Sequence, residues 1–230
     1  MSKKLVISVL TGIAVAGGGV IATHRLATTW GSRPEERVKS LPGDYLVDEC
    51  QTQADRAITI DAPADAVWPW LVQIGQDRAG FYSYEALENA IGCEIVGVGE
   101  LRPEWAARNV GDLVRLAPEV AVEVAVVDPP NALVLAAGEV ANGWERVFGS
   151  EEPGGAFPKH GQGGDTPGMP QAFSWAFVVS DEGDGTSRLH IRERYRFGKK
   201  DRLTGFAVPF VSAVMTQKML RTIRALAEAA

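Results

Sequence analysis

Cysteine is nearly absent from this chain of 230 residues, with Cys50 and Cys93 as the whole supply. Two thiols cannot build a disulfide-dense scaffold, and they make no metal-binding pattern. They can close one bridge if the domain faces an oxidising compartment. Two unpaired thiols need no such setting, and that reading is preferred. Histidine is almost as scarce: His24, His160 and His190 match no zinc spacing, so no metal site is expected. A nucleophile elbow, a P-loop and a dinucleotide fingerprint are all missing. Gly161-Gln162-Gly163-Gly164 lacks both the strand–helix setting and the Lys-Ser/Thr of a phosphate loop. No cofactor is therefore implied. Base is also in short supply. The net charge is −6, and three of the 23 bases (Lys3, Lys4 and Arg25) lie in the first 25 residues with no acid. That leaves 20 bases against 29 acids beyond, a net −9. So acidic a body is a poor partner for nucleic acid, and none is expected.

One long uncharged run is present. Leu5 to Ala22 reads LVISVLTGIAVAGGGVIA, 18 residues behind Lys3-Lys4. That is the lower end of what spans a hydrocarbon core as a helix. Its basic start, apolar centre and small residues at Ala14/Ala16 or Val20/Ala22 also suit a cleaved signal peptide. The run exceeds a typical signal core, so residues 1–25 are read first as a membrane anchor, through residues 5–22, and second as a signal peptide. Basic residues on both flanks leave the orientation open. Residues 26–55 turn mixed and polar, with Gly31, Pro34, Pro42 and Gly43 as breakers. They read as a linker holding one short helix at Pro34–Leu41.

The rest of the chain is organised around Ala57 to Tyr84. A β-type run, Ala57–Ile60, leads through Pro63, suited to a first helical turn, into an apolar helix over Ala66–Ile74 capped by Gly75. Gly80-Phe81-Tyr82-Ser83-Tyr84 leads into a second short helix. β-type runs then recur at Leu113–Leu116, Val120–Val127, Ala132–Ala137, a weaker Trp144–Phe148, Phe173–Ser180 and Arg188–Phe197. Turn residues between them predict antiparallel hairpins. The chain closes with a helix over Val208–Ala229, in which Met215, Met219, Ile223 and Leu226 share one face. Gly149–Gln171 interrupts this order with seven glycines and four prolines in 23 residues, which excludes regular structure. It reads as a lid or as a disordered insertion.

The stretch I-x-A-P-A-D-x-V-W, then W-x-x-L-V-Q-I-G-Q-D-R-A-G-F-Y-S-Y-E, resembles the START/Bet v1-like superfamily. More narrowly it is similar to the bacterial SRPBCC proteins, which include polyketide cyclase/dehydrase-like members. The resemblance continues through Pro103-Glu104-Trp105, Val110-Gly111-Asp112, Trp175-Ala176-Phe177 and Arg192-Glu193-Arg194-Tyr195. It covers residues 56–229. It implies an α+β helix-grip fold, with a curved antiparallel sheet wrapped around the long C-terminal helix and a cavity between them.

Alternation along Arg188–Phe197 turns Leu189, Ile191, Glu193, Tyr195 and Phe197 to one side and Arg188, His190, Arg192, Arg194 and Arg196 to the other. The first set is the expected concave wall. Glu193 there is a carboxylate on an apolar surface, suited to proton transfer or to anchoring a polar ligand head. The plainer reading, and the preferred one, pairs Glu193 with an arginine. The basic set is expected on a solvated outer face neutralised by acids, with anionic lipid headgroups as the functional alternative. Candidate cavity residues are Trp70, Tyr82, Tyr84, Phe173, Trp175, Phe177, Ile191, Glu193, Tyr195, Met215 and Met219. Three functions stay open. The first is a membrane-tethered binder of a hydrophobic small molecule, lipid or polyketide-like. The second is a cyclase/dehydratase-type enzyme with Glu193 as general acid/base and Tyr82, Tyr84 or Tyr195 as orienting groups. The third is a tethered protein-interaction module.

Overall fold

In the computed structural model, which describes residues 22–90, 92–118, 120–138 and 170–230, six strands form one antiparallel sheet. In chain order they are β1 (Thr52–Ile60), β2 (Leu113–Ala117), β3 (Val120–Asp128), β4 (Ala132–Gly138), β5 (Ala172–Gly183) and β6 (Thr186–Arg196). The spatial order is β1-β6-β5-β4-β3-β2, so every neighbour except β1–β6 is also next in sequence. The helices are α1 (residues 22–29), α2 (Pro34–Val38), α3 (Ala64–Val72), α4 (Glu85–Ala90) and α5 (Arg202–Glu228). Short 3₁₀ turns lie at Asp44–Val47 and Pro103–Trp105.

Helix α5 packs against α3 and lies along β1. Its apolar stripe enters the core as the periodicity requires. Met219, Leu220 and Ile223 are buried beside Leu71, Phe177, Leu189 and Ile191, while Lys218, Arg221 and Arg224 face water. The helix begins at Arg202, six residues before the expected start, and runs through Pro209. A proline in mid-helix leaves the carbonyl four residues earlier without its helical donor. Here that carbonyl is Gly205 O, and the Thr52 hydroxyl of β1 reaches it at 3.3 Å. Two arginines serve the other short helix. Arg78 Nη1 and Arg108 Nε each donate at 3.0 Å to Val72 O at the end of α3, where the last carbonyls have no helical partner. Burial first, then the nearby Arg78 charge, brings the Arg108 pKa down to about 10.

Three expectations need correction. Strand β1 starts at Thr52 rather than Ala57, and it pairs with β6 from Thr52↔Tyr195 to Ile60↔Ser187. Thr52, Gln53, Asp55 and Arg56 disguised its first half, because polar residues there do not give an apolar strand pattern. The linker expected over 26–55 is instead an arm that passes the β1 edge of the sheet, from α1 beside α5 to α2 and the Asp44–Val47 turn against the basic side of β6, and then enters β1. Gly31 makes this close approach feasible: its φ is +70°, and a Cβ there would sit 2.1 Å from Ala57 O. Gly43 turns the arm again at φ +85°, against the Val134 side chain.

The basic residues of β6 are the third correction, since most of them are neither solvated nor free to meet lipid. Arg188 and Arg192 are buried. Arg188 pairs with Glu36 at 2.7 Å and donates to Gly31 O. Arg192 pairs with Asp55 and Asp44, both at 2.7 Å, and donates to the carbonyls of Glu36 and Lys39. His190 Nε2 lies 2.9 Å from Asp55 Oδ1. Arg194 reaches Asp44 at 3.4 Å.

Cys50 and Cys93 are free thiols. Among the described residues no helix is long and apolar enough to cross a membrane. The expected span, residues 5–22, lies outside them except for Ala22. The Trp144–Phe148 run and residues 149–169 of the insertion lie outside them as well.

Candidate functional site

The concave side of the sheet and α5 do not close completely. Between them lies a cavity of about 220 Å³, roofed by α4 and the segment before it. Strand β5 supplies Phe173 and Trp175, β6 supplies Glu193 and Tyr195, and β2 supplies Leu116. Helix α5 adds Ser212, Met215, Thr216 and Met219, and the roof adds Phe81, Ser83 and Glu88. The rings form a continuous aromatic wall: Tyr195 stacks on Phe173 at 4.9 Å, Phe173 lies 6.5 Å from Trp175, and Trp175 lies 6.0 Å from Phe81.

Of the candidate residues, Phe173, Trp175, Glu193, Tyr195, Met215 and Met219 line this space. The other five do not. Phe177 and Ile191 are fully buried and packed into the core farther along their strands. Trp70 and Tyr82 meet edge to face at 6.2 Å in the core. Tyr82 has φ +54°, and burial pushes its hydroxyl up to about 12, although Gln73 is hydrogen-bonded to it. Tyr84 is exposed. The approach region was thus read one residue out of place: Phe81 and Ser83, flanking Tyr82, are the residues that face the cavity.

Glu193 sits where alternation placed it, and it is paired. Arg56, with no exposed side-chain surface, holds it at 3.0 Å. Tyr195 donates to it at 3.1 Å, Ser212 at 2.5–2.6 Å and Thr216 at 3.2 Å. Burial first, and then the Glu193 charge, pushes the Tyr195 hydroxyl well above its ordinary range. Arg56 itself donates to Ala27 O of α1 at 2.8 Å, to Pro209 O of α5 at 3.0 Å and to the Ser212 hydroxyl at 3.1 Å. The cluster joins arm, sheet and terminal helix at one end of the cavity.

Sequence reasoning missed Glu88, Ser212 and Thr216. The two hydroxyls occupy i and i+4 on α5, a spacing that puts them on one helical face. That face could have been matched to Glu193. Glu88 carried no such signal, because α4 is short and not visibly amphipathic. It is 5% exposed and its Oε2 has no hydrogen-bond partner. Burial raises its pKa, Ser83 opposes this through a hydrogen bond, and Glu85 adds to the rise. Among the described residues no cluster of acids, histidines and cysteines could hold a metal ion.

The six-stranded antiparallel sheet, with a long C-terminal helix closing over its concave side, defines an α+β protein of helix-grip type. That is the architecture the START/Bet v1-like resemblance implied. No family model matches the chain, and no curated protein matches it. Solved structures similar to it include protein MLL2253 from Mesorhizobium loti, at 13% identity and TM-score 0.41, covering 78% of this chain and 98% of that one. Norcoclaurine synthase from Thalictrum flavum is similar at 11% identity and TM-score 0.38, over 82% and 93% of the two chains. CalU16 from Micromonospora echinospora is similar at 16% and 0.32, over 77% and 84%. Similarity at this level transfers no activity. The fold assignment rests on the strand order and helix described above.

Proposed function

We propose that this protein binds a hydrophobic small molecule in the cavity beneath α5 and is held at a membrane by residues 5–22. The observation that carries the binding reading is the aromatic and methionine lining, Phe81, Phe173, Trp175, Met215 and Met219, around a cavity of about 220 Å³. A site of that kind gains affinity from apolar burial and orients its ligand through a few polar groups. The volume falls below the roughly 300–1,000 Å³ of sites for drug-sized ligands. It therefore favours a compact ring system over an extended acyl chain.

Binding is favoured over a cyclase-type reaction for a specific reason. A general acid or base must exchange its proton with a substrate. Glu193 instead has Arg56, Tyr195, Ser212 and Thr216 engaging both of its oxygens. Tyr82 and Tyr84 do not line the cavity and are out of position to orient a substrate there, and Tyr195, which does line it, donates its hydroxyl to Glu193.

Native mass spectrometry of the detergent-purified full chain tests the reading. A co-purifying lipophile of low mass, displaced when Trp175→Ala or Met219→Ala is introduced, is the expected result. A chain that carries no small molecule and takes up none from a panel of hydrophobic ring compounds overturns it. The anchor has its own test. The mature protein is expected to begin near Met1 and to fractionate with membranes, whereas an N-terminus between Gly17 and Thr28 would mean a cleaved signal.

A further inference from the structure

Among the described residues the cavity lining holds two carboxylates, Glu88 and Glu193, and no cation. They differ in one respect. Glu193 is fully engaged by Arg56 and three hydroxyls, whereas Glu88 Oε2 has no partner. A second lining residue is in the same position, because the Trp175 indole Nε1 is buried without an acceptor. A buried polar atom with no partner costs about as much as a lost hydrogen bond. A ligand that supplies the missing partners recovers that cost when it binds. Arg56, the cation paired with Glu193, offers nothing to an anion. Arg56 is entirely buried behind Glu193 and already donates to two backbone carbonyls, a serine and Glu193.

We infer that the cavity selects a neutral or cationic compact ring compound carrying a hydrogen-bond donor for Glu88, and that it rejects carboxylates, fatty acids included. This rests on the binding reading above and narrows it to a chemical class. Glu88 is the specificity-determining residue: its free oxygen accepts the ligand's donor and repels an anionic group. The Trp175 N–H adds a preference for an acceptor on the same molecule, so a phenolic or alcoholic hydroxyl satisfies both groups at once. Discrimination of this kind needs an attractive and a repulsive element, and one carboxylate provides both.

Titration calorimetry on the detergent-purified full chain tests the inference with three probes that share one fused-ring body: naphthalene, β-naphthol and β-naphthoate. The expected order is β-naphthol over naphthalene by at least about tenfold, the worth of a hydrogen bond to a carboxylate, with β-naphthoate weakest. Glu88→Gln, which keeps shape and removes charge, should cut the preference for β-naphthol over naphthalene several-fold and strengthen β-naphthoate. Trp175→Phe is the second variant and should reduce the β-naphthol preference with Glu88 intact. If β-naphthol and naphthalene bind equally, or if β-naphthoate matches β-naphthol on the unsubstituted chain, the inference is overturned while hydrophobic binding stands. If none of the three binds, the binding reading itself is overturned, and the inference falls with it.

Discussion

Arg56 and Glu193 show why removing half of a buried pair differs from removing both. Their guanidinium and carboxylate lie 3.0 Å apart with almost no exposure. Loss of one partner leaves the other charge buried and uncompensated, which typically costs about 3–5 kcal/mol. Glu193→Gln is therefore expected to lower the urea midpoint sharply, with or without ligand. The double variant Arg56→Met, Glu193→Gln should lose less than the two single losses combined. Equal stability of Glu193→Gln and the unsubstituted chain would show that the pair contributes nothing. Half of this arrangement was legible in the sequence. Period-two alternation placed Glu193 on the inner wall, and an arginine partner was the preferred reading. Which arginine it would be was not legible, because Arg56 lies on another strand 137 positions away and only the β1–β6 register brings it close.

The arm is the element that local pattern read least well. Residues 26–55 look like a tether because they are polar and broken by glycine and proline. Three of their acids, Glu36, Asp44 and Asp55, are instead matched to the basic side of β6, and a single-sequence pattern does not show such long-range complementarity. The pairing predicts a pH response. Burial alone would raise the Asp55 pKa, but hydrogen bonds from His190, Gln53 and Arg192 outweigh it and hold the group below its ordinary 3.8. Glu36 is likewise held below 4.5, with burial again opposed, here by Arg188 and the Arg33 backbone. A carboxylate with a depressed folded pKa stabilises the fold above its unfolded pKa and loses that contribution as pH falls through the folded value. Stability is thus expected to be steady from neutral pH down to about pH 5 and to drop below about pH 4. Asp55→Asn should flatten part of that drop. A midpoint no lower at about pH 3 than at about pH 6 would rule this out.

The insertion Gly149–Gln171 lies between paired strands: Gly138 of β4 pairs with Ala172 of β5, and Gln171 N donates to Arg196 O at 2.7 Å. Replacing Gly149–Gln171 with a short Gly-Ser turn is expected to leave the melting temperature nearly unchanged. A large fall would mean that the insertion contributes to the core.

For the molecule as a whole, the order of strands and helices was readable because long apolar runs of period two and period 3.6 are local signals. The cavity was not readable in the same way. It exists because six of the eleven candidate residues stop short of filling the space under α5 while four pack into the core and Tyr84 is exposed, and packing of that kind is decided in three dimensions. The arm has a last consequence, for how the protein would move. A tether of about thirty residues would let a domain wander several nanometres from its anchor in any orientation. Here residues 22–29 are already helical, and Ala27 O within them is held by Arg56. If residues 5–22 sit in a bilayer, there is almost no slack between lipid and body. The domain would pivot on its anchor like a hinged plate, turning in the plane of the membrane while keeping one side toward it. Which compounds reach the cavity would then depend as much on what is dissolved in the adjacent leaflet as on what is dissolved in water.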